Sequence, residues 1–190
     1  MDVKDAIRTR RAYRSLDPIE VTDELIMDLA ESAQLAPSCM NKQPWQFILI
    51  YDPEKLKQLF TTLSPGNKWV EKVSLIIAVV SRIKADCVIG ERIYYLFDTG
   101  MATAFILLRA TELGLVAHPI AGYNEELAKE ILKIPNDMQL ITLVNIGKHS
   151  EKTNPELSED MRLGEKQRPP RKKIKQFVFL NEYKKKLVKD

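Results

Sequence analysis

Four arginines fall within the seven residues Arg8-Thr9-Arg10-Arg11-Ala12-Tyr13-Arg14. If residues 10–14 are extended, alternate side chains share a face: Arg10, Ala12 and Arg14 on one, Arg11 and Tyr13 on the other. Two guanidinium groups on one face suit an oxyanion such as phosphate, because the planar donor fork matches its oxygens. A solvated basic turn would use the same residues. A second polar constellation is Ala36-Pro37-Ser38-Cys39-Met40-Asn41-Lys42-Gln43-Pro44-Trp45. It sets hydroxyl, thiol and amide groups between two prolines, and it is longer than the roughly two to six residues that usually join a helix to a strand. Pro37 ends the preceding helix, since proline has no amide hydrogen and biases Ala36 away from helical geometry. A stiff polar loop at the edge of an α/β core suits a binding loop, and equally an ordinary connector.

Other chemistry-bearing residues are sparse. His118 and His149 are the only histidines and lie far apart, so a histidine-based metal site is not expected. Cys39 and Cys87 are the only cysteines and form neither a CxxC nor a zinc spacing; Cys87 reads as a packing residue rather than a reactive thiol. No Ser/His/Asp or paired-carboxylate constellation stands out. Asp98, the one acid in an apolar helix middle, reads as a structural hydrogen-bonding group.

These residues need a scaffold. Asp2 to Arg10 reads as a short helix, and Leu16 to Glu20 as a turn. Thr22 to Leu35 reads as a helix with Thr22 as N-cap and Leu25, Ile26, Leu29 and Ala33 as its apolar stripe. Gln46 to Tyr51 and Leu75 to Val80 are nearly continuous apolar runs, as expected of strands covered on both faces. Between them come a helix from Pro53 to Leu63 and a single helical turn at Trp69 to Lys72. Glu91 to Leu113 is the longest helix, ended by Gly114. Its small residues Thr99, Gly100, Ala102, Thr103 and Ala104 fit close packing inside the chain or at the centre of a homodimer. Val116 to Ile120 and Leu140 to Gly147 add strands; Asn124 caps a helix from Glu125 to Leu132. Gly122 relaxes local sterics, so a ligand could approach the backbone there. Lys148 to Gln167 reads as a polar connector. Phe177-Val178-Phe179-Leu180 is too apolar for a free tail and should add to a sheet edge of its own or a partner subunit.

The 190 residues suit one domain with a C-terminal arm from about 162 to 190. A hydrophobic fraction of 45% supports a real core. No apolar run is long enough to span a membrane, and residues 1–5 contain no apolar signal core; the cytoplasm is the expected location. Residues 162–190 carry eleven Lys or Arg against three acids, a net of +8, while the rest of the chain carries −5. Such a tail can meet nucleic acid, an anionic surface or a phosphate-bearing ligand.

Four blocks, in order, resemble the FMN-dependent nitroreductase family: Arg10-Arg11-Ala12-Tyr13-Arg14; Ala36-Pro37-Ser38-Cys39-Met40-Asn41-Lys42-Gln43-Pro44-Trp45; Asp98-Thr99-Gly100 with Glu112-Leu113-Gly114-Leu115 and His118-Pro119-Ile120-Ala121-Gly122-Tyr123; and Arg171-Lys172-Lys173-Ile174. The resemblance implies an α+β three-layer sandwich with a central, mostly antiparallel sheet flanked by helices. It implies an arm-exchanging homodimer with FMN at the subunit interface, NADH or NADPH as electron donor and a small-molecule acceptor such as a nitroaromatic or quinone. Dehalogenation or flavin fragmentation would be variant chemistries, and a nucleic-acid or anionic-surface binding protein the reading from another class. No nucleic-acid or membrane partner is expected.

Carried over by the same resemblance, Arg10 and Arg171, with Lys172 beside them, would hold the FMN phosphate. Arg11, Ala12 and Arg14 would line the ribityl and ring rim, with Arg14 near flavin N1 and O2. Pro37, Ser38, Cys39 and Asn41 would reach the flavin of the other subunit, and Asn67 with Lys68 the pyrimidine edge. Pro119, Ile120, Ala121 and Gly122 would bring backbone towards flavin N5. Hydride transfer needs no protein acid or base. Ala12 replaces a family serine, a loss of one hydrogen bond worth about 0.5–1.5 kcal/mol. Cys39 replaces a second serine, as a small residue or an oxidisable thiol, and Lys173 stands where proline is common.

Overall fold

The computed structural model describes residues 1–184. Its centre is the strand β3, Leu75–Ser81, every residue of which is buried. Strand periodicity divides its side chains between two cores. Ile76, Ala78 and Val80 enter one core, with Leu56 and Leu59 of α3 (Pro53–Phe60), Trp69, Val70 and Ala128 of α5 (Glu125–Leu132). Leu75, Ile77 and Val79 enter the other, with Leu29 and Ala33 of α2 (Asp23–Gln34) and Ala102, Ile106 and Ala110 of α4 (Tyr95–Glu112). This is the expected α+β three-layer arrangement of helices, sheet and helices.

All strand pairs are antiparallel. The long strand β7, Gln139–His149, pairs with β3 on one side and with β6 (Val116–Ile120) and the two-residue β1 (Leu16–Asp17) on the other. β2, Gln46–Ile50, pairs with β3 and ends the strand order. Gly147 is required where β1 crosses β7, because a Cβ there would lie 2.9 Å from the Asp17 carbonyl oxygen.

Local signals act as their chemistry dictates. Thr22 Oγ1 accepts the Leu25 N–H at 3.2 Å, and Asn124 Oδ1 accepts the Leu127 N–H at 3.1 Å, capping α2 and α5. Arg109 on α4 donates to both carboxylate oxygens of Asp28 on α2, at 2.7 and 2.6 Å, and locks the two helices' register.

Several expectations are corrected. The central helix begins at Tyr95, not Glu91, because residues 88–93 turn back as a small hairpin, β4 (Val88–Ile89) and β5 (Arg92–Ile93). Pro65–Lys72 is a continuous 3-10 helix rather than one turn. The polar connector contains an amphipathic helix, α6 (Glu159–Lys166), capped by Ser158. β2 is covered on both faces as expected, with Ile48 and Ile50 against one core and Phe47 and Leu49 against the other, but as the end strand it is covered less completely: Gln46 is exposed, and Phe47, Ile48 and Leu49 are half-buried. Leu16 and Asp17 pair with β7 instead of turning freely.

Candidate functional site

Residues 10–14 leave α1 (Val3–Thr9) without forming a strand. The segment is held by contacts from distant parts of the chain. His118 on β6 contacts the Tyr13 carbonyl oxygen through Nδ1 at 2.9 Å; a carbonyl only accepts, so Nδ1 carries the proton. The Trp69 ring lies 4.6 Å from the His118 ring. Burial pushes the His118 pKa down to about 4, helped by the nearby Arg14 and Arg10 and opposed by the Tyr13 carbonyl and Glu165. Glu165 on α6 accepts the backbone N–H groups of Arg14 and Ser15 at 2.9 and 3.0 Å. Thus α6 closes over the arginine segment.

The arginines have different surroundings. Arg11 donates to the Gly164 carbonyl at 2.5 Å, and its guanidinium lies 4.5 Å above the Tyr13 ring, which stacks on His149. It therefore anchors α6. Arg10 is half-buried and gathers with Arg168 and Arg171; burial lowers its pKa first, and the two neighbouring positive charges lower it further. Arg168 also donates to the carbonyls of Arg8 and Arg10 at 2.7 and 2.8 Å. Among the described residues, none of Arg10, Arg14, Arg168 and Arg171 has a carboxylate within ion-pair distance. Arg10 therefore has two further positive charges near it, and guanidinium groups gathered in this way are a donor set suited to a multiply charged oxyanion.

Asn67 and Gly122 join the same region. Asn67 Nδ2 donates to the Gly122 carbonyl at 2.9 Å, and a Cβ on Gly122 would lie 2.5 Å from that nitrogen. The close neighbour at Gly122 is thus the Asn67 side chain. Trp69 Nε1 donates to Asn67 Oδ1 at 3.3 Å. Lys68, Ala12, Ala121, Arg171 and Lys172 are exposed, Pro119 is half-buried and Ile120 is buried in the core.

The proline-bounded loop lies elsewhere. Cys39 N–H donates to Asp98 Oδ2 at 2.6 Å, so Asp98 does have the structural role expected of it. Ser38 Oγ accepts the Gln43 N–H at 2.9 Å. Pro37 and Asn41 are exposed. Cys39 is joined to Cys87 by a disulfide, with their Cα atoms 6.1 Å apart. Cys87 is therefore not simply a packing residue, and cysteine usage no longer argues for a reducing compartment. No hydrogen bond, ion pair or ring contact among the described residues joins this loop to the arginine region. Within one chain the expected site residues form two separate groups.

Sequence reasoning missed Arg168, His118 and Glu165 as parts of the arginine region. The stiff basic run Arg168-Pro169-Pro170-Arg171 was the available signal for the first. His118 stands in the third family-like block but its partner is about 100 residues away, and nothing local points to Glu165, whose partners are about 150 residues away.

The nitroreductase family model matches residues 7–148, most of the chain. The chain belongs to the nitroreductase family. A protein of Archaeoglobus fulgidus, provisionally named NADH dehydrogenase/NAD(P)H nitroreductase, is 31% identical over 147 residues, covering 74% of this chain and 82% of the relative. An iodotyrosine deiodinase of Haliscomenobacter hydrossis is 25% identical over 170 residues, covering 75% and 77%. Among solved structures, one described as an oxidoreductase containing FMN superposes with a TM-score of 0.84 at 25% identity, covering 98% of this chain and 95% of the other. Membership makes this nitroreductase-family chain an oxidoreductase, and its antiparallel sheet between two helical layers is the family fold. None of its described helices is long and apolar enough to cross a membrane.

Proposed function

We propose that this chain is an FMN-dependent oxidoreductase acting as a homodimer. The observation that carries the reading is the cluster of Arg10, Arg168 and Arg171, which has no carboxylate partner among the described residues, in a chain of this family. FMN has a phosphate to meet such a cluster. When bound, FMN would take a hydride from NADH or NADPH and return it to a nitroaromatic, a quinone or a related small acceptor.

The protein's part is to bind, orient and set the electrostatics. Arg10, Arg168 and Arg171 hold the phosphate. Arg14, half-buried and with no ion-pair partner among the described residues, places positive charge beside the ring, where reduction develops negative charge. Asn67 and the backbone at Ala121 and Gly122 form a wall whose geometry their mutual hydrogen bond fixes. His118 stays neutral and holds the arginine segment through the Tyr13 carbonyl.

The dimer supplies the missing half. On α4, Leu96 and Phe97 are 50% and 64% exposed, with Gly100 and Ala104 exposed on the same side. Gly100 and Ala104 therefore face outward, as a helix meeting its copy requires, while Thr99, Ala102 and Thr103 are buried within the chain. The arm residues Ile174, Phe177 and Leu180 are also exposed, and β2 has one strand edge unpaired among the described residues. Residues 162–168 are docked on their own chain, so the crossing part of the expected arm starts later than 162; we read residues 172–184 as crossing to the partner and covering that edge, while 185–190 lie outside the described residues. The dimer would bring Ser38, Cys39 and Asn41 of one subunit to the flavin of the other.

The test is spectroscopic. The purified protein is expected to be yellow, or to take up FMN, and to bleach anaerobically with NADH or NADPH. Arg10→Ala and Arg171→Ala should each weaken FMN binding by about 10- to 100-fold, as loss of a charge-assisted contact worth about 1.5–3 kcal/mol implies. A protein that takes up no FMN, yet binds DNA with a steep salt dependence, refutes the reading. Reoxidation by nitroaromatics, quinones and halophenols would separate the acceptor classes.

A further inference from the structure

The Cys39–Cys87 disulfide spans 48 residues of sequence and joins two surface segments. One is the loop between Pro37 and Pro44. The other is the connector between β3 and α4, whose Val88, Ile89 and Ile93 are exposed. Neither sulfur belongs to either apolar core, so opening the bond removes no core packing. The loop it holds has an unfavourable backbone: Met40, Asn41 and Gln43 have φ of 49°, 56° and 48°, a region that residues with a Cβ seldom adopt. Disulfides that restrain strained segments are among the readily exchanged ones; here Cys87 is buried and the half-buried Cys39 is the side open to attack.

A titratable group stands beside the sulfurs. A carboxyl oxygen of Asp86 lies within 4.8 Å of both. Asp86 is only 9% exposed, and its Oδ1 accepts the Cys87 N–H at 2.7 Å. Its Oδ2 is buried with no hydrogen-bond partner among the described residues. Burial raises the Asp86 pKa and Asp98 raises it further, while the Cys87 N–H and Lys42 pull it down. Cys39 is half-buried and the more accessible of the two cysteines.

We propose that Cys39 and Cys87 form a reversible thiol-exchange site that sets the conformation of the Pro37–Pro44 loop, with Asp86 as its proton donor. A thiolate of an external dithiol attacks Cys39 Sγ. The Cys39–Cys87 bond breaks, a mixed disulfide forms at Cys39, and Cys87 Sγ leaves with a proton from Asp86. The second thiolate of the reagent attacks its own sulfur in the mixed disulfide and releases Cys39, which takes a proton from solvent. The protein disulfide gains two electrons, and the dithiol is oxidised to its cyclic disulfide. The loop then loses its covalent tie to the connector and keeps only the Asp98 and Ser38 hydrogen bonds. Its link to the cofactor rests on the FMN reading above; the exchange chemistry does not.

The experiment uses the full-length protein with FMN added. Samples equilibrated in oxidised or reduced dithiothreitol are quenched with N-ethylmaleimide and weighed, and parallel samples receive brief trypsin. No label is expected on the oxidised protein, two on the reduced protein, and none again after reoxidation. Cleavage after Lys42 should rise at least tenfold on reduction. Two labels that persist in oxidised dithiothreitol overturn the exchange site. Reversible labelling with unchanged cleavage at Lys42 overturns the control of the loop. General acids often contribute 10²–10⁴-fold, but a thiolate leaves readily, so Asp86→Asn should slow reduction only about tenfold. A rate equal to or above that of the parent removes Asp86 from the step. Absence of protein-bound flavin absorbance in every sample after free FMN is removed by gel filtration would refute the FMN reading and leave the labelling and cleavage results standing.

Discussion

Lowering the pH should unfasten the arginine segment through one residue, His118. Its Nδ1–H holds the Tyr13 carbonyl, Trp69 covers its ring, and Arg14 and Arg10 face it. Protonation would place a cation in a buried site beside two others, offset only in part by the Tyr13 carbonyl and Glu165. The folded pKa is about 4, against an ordinary value of 6.5. Because the folded value is the lower, the unfolded chain binds more protons between these two, and stability falls as pH falls through that window. At about 1.4 kcal/mol per pH unit over two and a half units, the full loss approaches about 3 kcal/mol at pH 4 and below, and is absent above about pH 7. The assay is urea denaturation from pH 7.5 to 4, comparing the parent with His118→Gln, which can still donate to the carbonyl but does not titrate. The difference between their unfolding free energies should shrink towards acid by about 2–3 kcal/mol. Parallel pH profiles would show that His118 titrates normally, and the account of its burial would be wrong.

Three other outcomes follow from close contacts and exposed faces. Gly122→Ala places a Cβ 2.5 Å from Asn67 Nδ2, so it should break that hydrogen bond and lower FMN affinity with little loss of thermal stability; unchanged affinity would remove this wall from the site. Gly147→Ala places a Cβ 2.9 Å from the Asp17 carbonyl oxygen, which is backbone and yields little. It should destabilise the fold by about 1–3 kcal/mol in denaturant titration. Phe97→Glu puts a charge on the exposed face of α4 and should convert a dimer to a monomer in analytical ultracentrifugation, with loss of bound FMN; a dimer that persists would exclude this face as the interface.

The sequence by itself determined what short-range physics controls. The apolar run of β3 specifies a strand buried on both faces, and Thr22 and Asn124 specify helix starts, because a cap bonds within three residues. The blocks at Arg10–Arg14 and Ala36–Trp45 carried enough residue-type information to indicate the family and the pieces of its site. Only the tertiary structure decided how those pieces meet. Arg10 joins Arg168 and Arg171 across about 160 residues, Arg11 is diverted to the carbonyls of α6, and Gly100 and Ala104 face outward rather than into the core. Cys39 and Cys87 looked unrelated at a separation of 48 residues, yet the end of β3 and the start of α4 bring them together. Pairings of this kind depend on the register of the sheet and the docking of helices on it, which arise from the packing of the whole core and leave no mark in any local window.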